Sequence, residues 1–137
     1  MNRQELQALA EERLADARAL LDAGRWGGAY YLAGYVVECA LNACVARQTR
    51  EHDSPVKDAR EKFYIHDLTK LRDNADLKKA FAHEFSRDAD FQSNWNFVKD
   101  WTEEARYQTH SRQKAEQMLT AVADPQHGVL QCLRRYW

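Results

Sequence analysis

The sequence is short of the residues that make turns and covalent staples. Five glycines and two prolines in 137 residues leave little material for hairpins or long linkers, and no stretch alternates apolar and polar residues as a half-buried strand does. The three cysteines, Cys39, Cys44 and Cys132, are odd in number and contain no Cys-x-x-Cys pair. They read as small buried hydrophobes in a reducing compartment. Lys and Arg (20) do not outnumber Asp and Glu (21), and the net charge of −1 gives no overall basic field, which leaves only local patches for nucleic acid. There is no glycine-rich phosphate loop and no His-x-x-x-His or Glu-x-x-His arrangement, so no metal and no cofactor is implied. The N-terminal MNRQELQALAEERL is charged and lacks an apolar signal core. No uninterrupted apolar run is seen to approach the ~20 residues that span a bilayer. The expectation is a cytoplasmic protein with no membrane association.

What the chain does have is helical periodicity. The stretch Trp26–Gln48 places Tyr30, Ala33, Val37, Leu41, Cys44 and Val45 on one helix face, while Leu32, Val36, Cys39, Ala40 and Ala43 fill the opposite side. A helix apolar nearly all round is buried on more than one side, which makes this the central element. A polar stripe, Tyr31, Tyr35, Glu38 and Asn42, runs along it at i, i+4, i+7, i+11. A carboxylate inside such a run needs a partner. Arg106 is the first candidate, with His66 and Tyr107 as alternatives.

The other segments fall around this helix. Asn2 and Glu5 resemble a capping box opening a helix over Asn2–Ala23, with Leu6, Leu9, Leu14, Ala17, Leu20 and Leu21 inward and Gly24 as its stop. The short Gly24-Arg25 link predicts an antiparallel hairpin. Beyond Gln48 the polar stretch around Ser54-Pro55 predicts a loop, with a short proline-started helix as the alternative. Asp67 is suited to cap a helix carrying Leu68 and Leu71. A further helix is expected near Asp76–Phe85, another opening at Asp88, and a last one from Ser111. Asp124-Pro125 either kinks that last helix or separates two. The expected fold class is all-α, an up-and-down four-helix bundle with short extra helices in a single domain over residues 1–137.

Three local patterns then stand in order: GGAYYLAGYVVECALNACVA from Gly27, HDLTKL from His66, and WTEEARY from Trp101. Together they resemble the HEPN family (higher eukaryotes and prokaryotes nucleotide-binding domain). The resemblance implies a helical bundle that dimerises. It implies membership of a group that includes ribonuclease toxins, antiphage factors, partners of small nucleotidyltransferases in toxin–antitoxin or defence systems, and non-catalytic binding modules. The family's ribonuclease motif is Arg, four to six residues, then His, near the start of the last helix.

At that place this chain has Arg106-Tyr107-Gln108-Thr109-His110, one residue short. Metal-independent RNA cleavage needs a base for the 2′-hydroxyl proton and cations at the phosphate, which His110 and Arg106 supply if they converge. Arg60–His66 and Arg47–His52 match by count alone. His66 also suits a structural hydrogen bond, and His52, His83 and His127 are expected to face solvent. Arg106, Arg112, Lys114, Arg134 and Arg135, interleaved with Tyr107, Tyr136 and Trp137, form a weak basic and aromatic cluster of the kind that holds a nucleotide or RNA. The preferred reading is a homodimeric interaction or nucleotide/RNA-binding module with a polar network of Tyr31, Glu38, His66, Arg106 and Tyr107. The alternatives are a ribonuclease using Arg106 and His110, and a structural oligomerisation domain.

Overall fold

The computed structural model describes residues 1–51 and 65–137; His52, Ser54-Pro55 and Arg60 lie outside the described residues. Among the described residues the protein is all-α, with seven α-helices, one 3-10 turn and no strand. Helix α1 spans Arg3–Asp22 and opens on the expected capping box, Asn2 Oδ1 accepting from Glu5 N at 2.8 Å and Glu5 Oε2 from Asn2 N at 2.9 Å. Its deepest line is Leu6, Ala10, Leu14 and Ala17. Leu9, Leu20 and Leu21, expected on that line, are only partly buried, because the alanines let α1 approach its neighbour more closely than leucines would. Gly24 sits at φ +77°, in the left-handed region that glycine adopts without steric cost.

The chain turns there into α2, Trp26–Glu51, which packs against α1 along its length. By length and composition alone Trp26–Thr49 could cross a membrane, contrary to the reading that no apolar run is long enough. However, 72% of its most apolar window is buried inside the fold, as befits a core helix. Its small residues Ala29, Ala33, Ala40 and Ala43 are all fully buried. Helix α2 also touches the helices Leu68–Asn74, Arg112–Ala123 and Val129–Leu133 and the 3-10 turn Glu103–Tyr107, so it is the element on which the others rest.

Helix α3 (Leu68–Asn74) is capped by Asp67, whose carboxylate accepts from Lys70 N at 3.0 Å. Asp76 then adopts φ +59°, which delays α4 to Lys78–Arg87, two residues later than the leucine and phenylalanine spacing suggests. Asp88 caps α5, Ala89–Val98, through Phe91 N at 3.0 Å. Phe81, Phe91 and Trp95 meet edge to face at 4.9 to 5.3 Å, a preferred aromatic geometry, and the Arg72 guanidinium lies 5.4 Å from the Trp95 ring centre. The 3-10 turn Glu103–Tyr107 follows, where no apolar periodicity is legible. Ser111 caps α6, Arg112–Ala123. Pro125 separates rather than kinks: α6 stops, Asp124 Oδ1 accepts from Gln126 N and His127 N at 2.8 Å each, and α7 begins at Val129 and runs to Leu133.

One contact fixes where the 3-10 turn meets α2. A Cβ at Gly34 would lie 2.2 Å from Trp101 Cδ1, far inside van der Waals contact, and Trp101 is 1% exposed. Only a glycine lets the indole lie on the helix backbone. Gly34→Ala is therefore expected to cost about 1–3 kcal/mol through overpacking, read as a lower urea midpoint. An unchanged midpoint would mean that Trp101 does not seat on α2.

Candidate functional site

The buried carboxylate of the polar stripe finds its partner. Glu38 is the only buried charged residue among the described ones, at 6% exposure, and its Oε1 lies 2.8 Å from His66 Nδ1. An ionised carboxylate only accepts, so Nδ1 carries the proton and donates. The expected Glu38–Arg106 pairing is not formed; the alternative, His66, takes that place. The reason is local. Asp67 caps α3, which brings the preceding His66 against α2, whereas Arg106 sits at the far end of the 3-10 turn and is exposed. Burial first, then the nearby Glu103, pushes the Glu38 carboxyl above the usual 4.5, and the hydrogen bond from His66 only partly opposes this.

The two tyrosines of the stripe pack through their rings. Tyr31 stacks on Trp101 at 5.8 Å and on Tyr35 at 6.2 Å. Burial and the neighbouring Cys39 push the Tyr35 phenol up to about 12, and burial raises the Cys39 and Cys44 thiols to about 11 and about 12. All three cysteines are free and buried, so they are packing groups rather than nucleophiles. Asn42 Oδ1 and Trp101 Nε1 are buried without a hydrogen-bond partner among the described residues.

His66, its side chain half-exposed, stands at the edge of a cleft of about 390 Å³ that Lys70, Lys99, Trp101, Glu103 and Glu104 also line. Charges of both signs surround it.

A second polar surface lies where the start of α2 meets the 3-10 turn and the start of α6. The His110 ring stacks on Tyr30 with centres 3.9 Å apart and planes at 22°, and its Nε2 lies 3.3 Å from the Ala105 carbonyl oxygen. Arg106 lies over the Tyr107 ring at 4.9 Å, and Tyr107 first, then Tyr31, holds its guanidinium in the charged form. Arg112 lies over Trp26 at 5.7 Å and Lys114 over Tyr30 at 5.6 Å. Tyr107 is 73% exposed.

Arg106 and His110, the candidate catalytic pair, therefore have different partners, one an exposed tyrosine and the other a buried one. The basic cluster is also divided: Arg134 makes a two-point ion pair with Glu11 at 2.7 and 2.8 Å, and Arg135 reaches Glu84 at 3.4 Å. Sequence reasoning missed Tyr30 and Trp26 as partners of these cations. Their signal was present in the tyrosine-rich opening of α2, but cation–aromatic pairs between distant segments leave no spacing to read. His127, expected to face solvent, is half-buried and lies 2.7 Å from Asp88 Oδ2. With Asp90 it forms the one grouping of metal-capable side chains found among the described residues.

No protein-family model, curated protein or solved structure matches the chain.

The Glu38–His66 geometry carries a stability prediction. Removing a carboxylate whose partner is half-exposed leaves an imidazole that water can solvate, unlike the buried orphan charge that makes such cuts expensive. Glu38→Leu should thus stay within about 1 kcal/mol of wild type. Because Glu38 is protonated more readily folded than unfolded, its charge costs stability as pH rises from 4.5 through its folded value. Urea midpoints of Glu38→Leu relative to wild type should improve across that rise. A relative midpoint that instead worsens with pH would show that the ionised pair stabilises the fold.

Proposed function

We propose that this chain is a HEPN-like helical bundle that works as a dimeric nucleotide- or RNA-binding module, and that Arg106, Tyr107, Arg112 and Lys114 form its binding face. The observation that carries this reading is the run of cation–aromatic pairs at one junction, Arg106 on Tyr107, Arg112 on Trp26 and Lys114 on Tyr30, ending in a tyrosine left open to solvent. Exposed aromatic faces stack bases irrespective of sequence, and flanking cations take the phosphates. Arg112 also touches Glu116 at 2.7 Å with both side chains exposed. Such surface pairs are worth little and yield to a phosphate at small cost. The all-α architecture and the tight α1–α2 hairpin agree with the HEPN resemblance. Dimerisation, and a nucleotidyltransferase partner in a toxin–antitoxin or defence setting, rest on that resemblance alone.

The geometry supports binding better than cleavage. A His–Arg pair acts on one phosphodiester only where both groups converge on it. The His110 ring is engaged by Tyr30 and the Ala105 carbonyl oxygen, whereas the partners of Arg106 are Tyr107 and Tyr31. The test is fluorescence anisotropy with a short single-stranded RNA. Tyr107→Ala should weaken binding by about 1–3 kcal/mol, and Arg106→Ala should weaken it while reducing the salt slope by about one. Binding by both variants equal to wild type would remove the face from consideration. RNA cleavage in chelator that disappears in His110→Ala would replace the binding reading with the catalytic one.

A further inference from the structure

The link between α6 and α7 is fastened to the start of α5 through one histidine. His127 Nδ1 lies 2.7 Å from Asp88 Oδ2, and its Nε2 lies 3.9 Å from Asp90 Oδ2. The backbone of the same residue is held at both ends, its N–H donating to Asp124 Oδ1 at 2.8 Å and its carbonyl accepting from Asn94 Nδ2 at 2.9 Å. The charged groups facing the imidazole are therefore Asp88 and Asp90 from α5 and Asp124 from the link itself. Two of these carboxylates have a second task independent of the ring: Asp88 Oδ1 caps α5, and Asp124 Oδ1 caps the link. Titration of His127 leaves those caps in place and changes only the attraction between ring and carboxylates.

We propose that Asp88, Asp90, Asp124 and His127 form a proton-operated clasp, which holds the α6–α7 link and α7 against α5 while His127 is cationic and loosens when it is neutral. The neutral ring leaves three carboxylates around one site with no cation among the four groups. The loosened segment is substantial in its contacts. Val129, Leu130, Cys132 and Leu133 are all buried, and the Leu133 carbonyl oxygen lies 3.8 Å from Cys44 Sγ on α2. Gly128 lets the link fold closely on itself, since a Cβ there would lie 2.5 Å from the Asp124 carbonyl oxygen.

The direction of the pH dependence follows from the partners. The hydrogen bond to Asp88, more than any other cause, raises the His127 value above the ordinary 6.5, and the bond from His127, more than any other cause, lowers Asp88 below 3.8. The histidine's contribution is complete below 6.5 and is lost as pH rises through its higher folded value; the aspartate's is complete above 3.8 and is lost as pH falls through its lower one. The clasp is closed between these limits and opens as pH rises through the folded value of His127.

The experiment is amide hydrogen exchange of residues 124–133 in the full chain, with chelator present, from below 6.5 to well above it and corrected for intrinsic exchange. Wild type should lose protection several-fold as the pH rises, while His127→Gln shows low protection that does not vary with pH. Asp88→Asn, which keeps a capping oxygen, should also flatten the profile. The same pH-dependent loss in His127→Gln overturns the proposal. Should that variant fail to fold, the ring titration of His127 in wild type decides by NMR: a value above 6.5 supports the clasp, and one at or below it overturns the clasp.

Discussion

Close approach to a single helix is the constraint on which the rest of the structure depends. Helix α2 is lined with alanine and glycine where its neighbours cross it, and Ala29, Ala33, Ala40 and Ala43 expose essentially nothing. Small side chains bring helix axes together and leave no room for water between them, and the dispersion gained across such a seam is large in sum. The same smallness lets large residues of other segments lie directly on the helix. Trp101 does this over Gly34. Leu41, Val36 and Val37 on the same helix are likewise fully buried. An apolar helix of this length resembles a membrane span by composition. What distinguishes its role here is that the chain itself supplies the apolar surroundings.

Glu38 is the exception inside that seam, and its position explains the form of the site. A carboxylate at such depth loses solvation that one hydrogen bond does not restore, which is why its proton affinity rises despite His66. His66 is presented to it because Asp67 must stand just outside α3 to cap it. The capping rule and the buried charge thus determine each other's neighbour. Glu103 adds repulsion from the opposite wall, so the cleft between α3 and the 3-10 turn is electrostatically divided rather than uniformly basic.

Much of this was legible in the sequence. The caps at Asn2 and Asp67, the helix starts at Asp88 and Ser111 and the stop at Gly24 are local devices acting within about three residues, and all five stand where the sequence places them. The polar stripe and the partnership of Glu38 with a distant residue were also readable as a need. Which residue met that need was not. Arg106 is the stronger ion-pair former, but the 3-10 turn aims it outward, and no periodicity announces a 3-10 turn of five residues. The start of α4 moved because Asp76 adopts a left-handed conformation that side-chain spacing cannot reveal. The sequence around His127 reads as solvent-facing because its partners lie 37 and 39 positions away.

The 3-10 turn is where these strands of physics meet. Its first residues, Glu103 and Glu104, line the cleft beside His66, and its last, Arg106 and Tyr107, carry the exposed cation–aromatic pair. Between them Ala105 is buried and its carbonyl oxygen receives His110. Trp101 on Gly34 fixes its entry, and His110 on Tyr30 fixes its exit. The stacking of His110 on Tyr30 and its contact with the Ala105 carbonyl oxygen tie the turn that carries Tyr107 to the start of α2. A histidine serving that purpose needs its ring plane and one nitrogen, and the structure uses both.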